Sequence, residues 1–167
     1  MAKLMRLADA TLITVRCPAA LLDTVGEASG LDFPREANRF VTSGTTTVVW
    51  TSPDDWLIIA QEIEPSDLLS SLEAAFTGHH AAVVDMSGNR VRLQLSGHDS
   101  RTMMARACAL DFDPPYFDVG HCAGTLVTRA QAFVLQRDDA PTYEMLVRRS
   151  YAHYLCNWFM TAGCEVI

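Results

Sequence analysis

The sequence predicts an α+β fold of antiparallel sheets and helices, built from a strand, strand, helix unit that repeats from residue 46 onward. Three observations predict it. Two apolar runs, TTTVVW from Thr45 and WLIIA from Trp56, flank the turn Ser52-Pro53-Asp54-Asp55. Proline fixes φ at the first central position of such a turn, and Ser52 and Asp54 suit its backbone, so the pair reads as a tight antiparallel hairpin. From Arg90, the apolar Val91, Leu93 and Leu95 alternate with Arg90, Arg92 and Gln94, the period of a strand with one face on a core and the other in water. Between these strands, Pro65 to Thr77 puts Leu68, Leu69, Leu72, Ala75 and Phe76 on one helical face.

Taken in order, residues 1–45 predict a strand around Leu12 to Val15, a helix from Ala19 to Ala28 and an irregular LDFPREANRF connection from Leu31. The hairpin follows, then the helix from Pro65, with proline in its first turn and Gly78 placed to end it. The second unit takes AAVVDM from Ala81, a Ser87-Gly88-Asn89 turn, the strand from Arg90, and a helix from His98 to Ala107 packed through Met103, Met104 and Ala107. The third has strands over Ala123 to Thr128, Gln131 to Gln136 and Thr142 to Val147, then a last helix with Ser150 as N-cap and Gly163 as its stop. Strand pairs each followed by a helix give an antiparallel sheet with helices on one face.

A chain of 167 residues with 49% hydrophobic content fits a single domain over 1–167, of which 1–45 is the least defined part. Size scaling lets it bury roughly 70% of its unfolded surface. The formal net charge of −7 repels phosphate backbones, which argues against nucleic-acid binding. Lys3 is the only lysine, so the body of the chain has no Schiff-base or phosphate-loop lysine. The start MAKLMRLADATLITV lacks a long apolar core before a small-residue cleavage site, and no later run approaches the length of a membrane span. A cytoplasmic protein is expected. Cys17, Cys108, Cys122, Cys156 and Cys164 are odd in number and irregularly spaced, so they read as reduced and mostly buried.

Candidate chemistry is sparse. Adjacent Asp54 and Asp55 have the makings of a general acid and base pair, but in a turn Asp54 suits the backbone and Asp55 suits solvent or an arginine. Asp85 stands where a strand enters a turn and reads as a turn cap. His153, Cys156 and Cys164 near the C-terminus, and His121 beside Cys122, lack the paired spacing of a zinc site. Ser96 and Ser150 sit where helices need caps, and no nucleophile elbow exists. Cys122, in a loop beside His121, is the one cysteine placed for exposure. His98, at a helix start, reads as a surface histidine. No G-x-G-x-x-G follows a strand, so no dinucleotide site is expected. Tyr151, Tyr154, Trp158 and Phe159 form an apolar stripe on the last helix, wide enough for both a core and a partner.

Five strings carry a family resemblance: WTSPDDWLI from Trp50, LQLSGHDSR from Leu93, ACALDF from Ala107, FDVGHCAGT from Phe117 and VRRSYAHYL from Val147. In that order, the chain resembles the gamma subunit of heterotetrameric sarcosine oxidase from about Leu31 to its C-terminus. It departs from that pattern at Gly124, where an arginine is expected, and in the relaxed ACALDF segment. The resemblance implies a reduced form of the folate-binding fold of aminomethyltransferases, made of ferredoxin-like units. It also implies an accessory, non-catalytic subunit of a complex that oxidises sarcosine to glycine and passes the methyl carbon to tetrahydrofolate. FAD, FMN, NAD, tetrahydrofolate and zinc would then belong to the complex, whose larger alpha and beta subunits and delta subunit are the partners, and none to this chain. Trp50, Pro53, Trp56, Arg149, Tyr151, Tyr154 and Trp158 become fold or interface anchors, and the isolated chain is expected to self-associate. Two alternatives stay open: a free-standing folate-binding protein of one-carbon metabolism, marked by a buried acid with arginines at its mouth, and an accessory subunit of an oxidase for another N-methyl amine.

Overall fold

The computed structural model describes residues 1–167. Its elements run β1 (Lys3–Arg6), β2 (Thr11–Arg16), α1 (Leu22–Ser29), β3 (Phe40–Ser43), β4 (Thr46–Ser52), β5 (Asp55–Ala60), α2 (Pro65–Ala75), β6 (Ala82–Asp85), β7 (Arg90–Ser96), α3 (Ser100–Ala107), β8 (Cys122–Val127), β9 (Ala130–Asp138), β10 (Thr142–Arg148), α4 (Ala152–Thr161) and β11 (Glu165–Val166). Short 3-10 turns over Ala19–Leu21 and Arg149–Tyr151 lead into α1 and α4. The chain divides into two compact units, residues 9–88 and residues 1–8 with 89–167.

The 9–88 unit holds a five-stranded antiparallel sheet in the order β3-β4-β5-β2-β6. In chain order β2, α1, β4, β5, α2 and β6 make one β-α-β-β-α-β ferredoxin-like motif, with β3 added at the edge. Helices α1 and α2 cover one face. Leu22 and Val25 of α1 and Leu68 and Leu72 of α2 pack with Phe76 against Ile13, Val15, Val48, Trp56 and Ile58. Each such buried side chain contributes about 1.5–3 kcal/mol. Helix α1 ends where Gly30, at φ 70°, donates its N–H to the Gly26 carbonyl at 2.8 Å, a left-handed cap that glycine adopts without a Cβ clash.

The other unit repeats the motif with a substitution. Its sheet runs β11-β1-β7-β10-β9-β8, and α3 and α4 follow β7 and β10. The place beside β7 that completes the motif is taken by β1, antiparallel to it, and β11 adds outside β1 as a parallel pair. Met103, Met104 and Ala107 of α3 and Leu155 and Phe159 of α4 pack on Val91, Leu93, Leu95, Val134, Tyr143, Met145 and Val147.

The architecture is the α+β fold that the patterning predicts, with four differences. The second strand pair is not a pair: β6 pairs with β2, and β7 lies between β1 and β10, so the Ser87-Gly88-Asn89 turn joins two sheets. The polar face of β7 is not wholly in water, because Arg92 is only 5% exposed. Ser150 caps nothing, since the Arg149–Tyr151 turn intervenes and α4 starts at Ala152 with no side-chain cap hydrogen bond. The backbone N–H of Arg149 goes to the Asn89 carbonyl at 3.0 Å, which extends the β10 pairing to the residue just before Ser150. Ser96, likewise, closes β7 rather than opening a helix. Strands β1, β3 and β11 carry too few residues to show a period in sequence.

Candidate functional site

The Trp50 to Leu57 hairpin forms as predicted. Trp50 lies opposite Trp56, with a register shift before Ser52 meets Asp55. Trp56 is 1% exposed; its Nε1 donates to the Pro34 carbonyl at 2.8 Å, and its ring meets Phe33 edge-on at 6.2 Å. It therefore anchors the irregular 31–39 connection to the sheet, while Trp50 is half-buried against the same core. Pro53 is exposed at the turn.

The aspartate pair is occupied with structure. Arg16 donates from Nε and Nη2 to the two Asp55 carboxylate oxygens at 3.0 and 2.5 Å, and Ser52 Oγ donates to Asp55 at 3.1 Å. Asp55 raises the Arg16 guanidinium pKa through that hydrogen bond first and its charge second. The Asp54 carbonyl accepts the Cys17 N–H at 3.0 Å. A cleft of about 500 Å³ beside the turn is lined by Cys17, Pro18, Pro53, Asp54, Asp55 and His80 among others. Burial, followed by Asp54 and Asp55, pushes the Cys17 thiol pKa up, the direction that disfavours the nucleophilic thiolate.

Asp85 caps its turn: Oδ1 accepts the Ser87 N–H at 2.8 Å and the Ser87 hydroxyl at 2.6 Å. These bonds hold its carboxyl below the usual range, the hydroxyl contributing most. Cys122 is not in an exposed loop; it starts β8 and is fully buried. The ring of His121 stacks on Phe117 at 5.8 Å and accepts the Asp118 N–H at 2.8 Å. Asn157, one turn along α4, lies 3.2 Å from His153 Nδ1, and burial raises the thiol pKa of both Cys156 and Cys164. No three His, Cys, Asp or Glu side chains converge as a metal site.

On α4 the stripe divides. Leu155 and Phe159 enter the core. Tyr151 and Tyr154, 40% and 37% exposed, pair edge-on at 6.4 Å, and Met160 is exposed beyond them. Trp158 is half-buried, edge-on to Phe159 at 5.2 Å. Arg149 is exposed just before the helix. The solvent side of α4 thus carries Tyr154 and Met160 together with the polar His153, Asn157 and Thr161, a mixed surface with aromatic anchors of the kind that interfaces use.

Two features escape a linear reading. Glu144 on β10, 3% exposed, accepts from Arg92 Nε at 2.6 Å and from Arg137 Nε at 2.7 Å. Both of its oxygens are engaged, so it is a buried acid held by arginines but not one free to meet a ligand. The second is a recess at Arg90, Gly124 and Phe133. Opposite-charge partners on strands far apart in sequence would have been the signal for Glu144, but only once β7 and β10 are known to pair.

A family model described as the sarcosine oxidase, gamma subunit family matches residues 16–165. The chain is 28% identical over 151 residues to sarcosine oxidase subunit gamma of Corynebacterium sp. (strain U-96), covering 90% of this chain and 65% of that relative; it therefore spans just under two thirds of that relative's length. It is 29% identical over 168 residues to the subunit gamma of Arthrobacter sp., covering 97% of this chain and 80% of the relative. Among solved structures, a chain of the heterotetrameric sarcosine oxidase from Corynebacterium sp. U-96, in complex with pyrrole 2-carboxylate, superposes with TM-score 0.87 at 25% identity, over 96% of this chain and 83% of that one. The glycine cleavage system aminomethyltransferase T from Bartonella henselae shares the fold, with TM-score 0.70 at 15% identity over 99% of this chain and 47% of the other.

Proposed function

The chain belongs to the sarcosine oxidase gamma subunit family, and from that membership we propose that it acts as the accessory, non-catalytic subunit of a heterotetrameric sarcosine oxidase. The supporting observation is its superposition, at TM-score 0.87, on a chain of such an oxidase. In this reading residues 1–167 serve as one gamma-subunit-like domain. The larger alpha and beta subunits, with delta, carry FAD, FMN, NAD and the zinc, oxidise sarcosine to glycine and deliver the one-carbon unit to tetrahydrofolate.

The site geometry agrees with a role in assembly. The conspicuous acids are tied up, Asp55 by Arg16, Asp85 by Ser87 and Glu144 by two arginines, and Cys17, Cys122 and Cys164 are buried, with Cys156 partly so. What remains uncommitted is surface: Tyr151 in the turn before α4, and Tyr154 and Met160 on α4. These, with Trp158 and Arg149, are the proposed contact residues, while Trp56 and Trp50 maintain the fold and Pro53 shapes the turn. The exposed aromatics also give the isolated chain a means to self-associate, and the complex is assigned to the cytoplasm.

Co-expression of the tagged chain with the other subunits of a sarcosine oxidase tests this. Copurification of yellow, flavin-bearing polypeptides with a colourless chain is the expected result. A chain that comes through alone, or that carries a stoichiometric flavin of its own, contradicts it.

A further inference from the structure

On β7 and β10, Arg90 and Arg148 stand directly opposite each other. Like charges in that position repel, and no carboxylate pairs with either of them. The contrast with Arg92, two residues along the same strand and bonded to Glu144, is one of environment rather than residue type. Arg90 is half-buried, and its guanidinium lies over the Phe133 ring, 5.6 Å from the centroid. Burial first and Arg148 second lower its pKa, as expected of a cation set beside another with no anion between them.

The space above the ring is kept open by Gly124, opposite Phe133 on β8. A Cβ there would stand 3.2 Å from Phe133 Cε1. The outcome is a recess of about 410 Å³ lined by Arg90, Gly124, Thr125, Leu126, Gln131 and Phe133, with Ala132. A guanidinium that lies over an aromatic face, with no carboxylate bonded to it, has its N–H fork for an incoming carboxylate, which it grips with two bonds.

We propose that this recess receives an aspartate or glutamate side chain of the partner polypeptide, seated on Arg90 with Arg148 adding charge. This rests on the reading of the chain as an oxidase subunit. A protein occupant, rather than a free acid, is favoured by the rim: β8 is the edge strand of its sheet, and its Leu126 is 55% exposed beside the recess, an apolar contact that flanking residues of a polypeptide would cover. The chain carries a net charge of −7, so a local basic site steers an acidic segment to one place on an otherwise repelling surface.

Affinity of the full chain for the co-expressed remaining subunits, measured at several salt concentrations, tests the assignment. Arg90→Gln should weaken capture roughly 10- to 100-fold and flatten the salt dependence at an unchanged melting temperature. Arg90→Lys should fall between it and wild type, and exposed Arg148→Gln should give a smaller loss. Wild-type affinity in Arg90→Gln overturns the proposal. Glutarate titrated into the isolated chain, followed by the arginine side-chain NMR signals, separates the sources: sub-millimolar saturation at Arg90 would make this a free-acid site and overturn the polypeptide occupant. Failure of the wild-type chain itself to be captured would overturn the subunit reading and the occupant with it, whereas failure at Arg90 alone leaves the subunit reading standing.

Discussion

Replacing Trp56 isolates what holds the 9–88 unit together. The indole is 1% exposed, meets Phe33 edge-on at 6.2 Å and donates to the Pro34 carbonyl at 2.8 Å. Trp56→Ala removes the ring and opens a cavity, which costs about 3–5 kcal/mol. Trp56→Phe keeps most of the apolar contact but takes the donor from a buried carbonyl, about 1–3 kcal/mol. Against a typical total of about 5–15 kcal/mol, alanine brings the unit close to the unfolding threshold and phenylalanine does not. Urea titration followed by far-UV circular dichroism reads both, and hydrogen exchange over 31–39 shows whether the connection is released. Trp56→Ala costing under about 1 kcal/mol would refute the core assignment. Equal costs for the two variants would mean that the hydrogen bond, not the ring, is the anchor.

Other outcomes follow from the same geometry. Glu144→Ala strands Arg92 in a buried site and should destabilise the chain by about 3–5 kcal/mol in the same titration. Because hydrogen bonds from Ser87 depress the Asp85 carboxyl, its contribution is present above the unfolded value of about 3.9 and is lost as pH falls through the lowered folded value. Wild type should therefore exceed Asp85→Asn in stability at pH 6, and the difference should vanish in melts run well into the acid range. Tyr154→Ser should reduce capture by partner subunits with little change in melting temperature, whereas Trp158→Ser, packed on Phe159, should lower both.

Much of the fold is legible in the sequence because its signals are local. Pro53 between two β-branched runs fixes the hairpin, and the Leu68, Leu72 and Phe76 spacing fixes α2, without any knowledge of partners. Pairing is different. Ala82–Asp85 and Arg90–Ser96 look like hairpin arms because a short turn joins them, yet β6 finds β2 and β7 finds β10, contacts that sequence distance conceals. The same blindness put Arg92 in water, since its partner Glu144 lies 52 residues away. Among the proposed fold or interface anchors, the burial of Trp56 depends on the contact with Phe33 and Pro34 across the 31–39 connection, and the exposure of Tyr151 and Tyr154 on the orientation of α4, neither of which a linear reading supplies. The sequence places Cys122 in a loop beside His121, but strand β8 begins at the cysteine itself.

The accessory role is tested most directly by turnover per flavin in the assembled oxidase carrying a chain with Asp54→Asn, Asp55→Asn, Asp85→Asn and His121→Gln together. If the chain only supports its partners, sarcosine oxidation per flavin equals that of the wild-type complex wherever assembly is complete. A fall of tenfold or more, about 1.4 kcal/mol in the barrier, in a complex of undiminished stoichiometry would place chemistry on this chain and contradict the account.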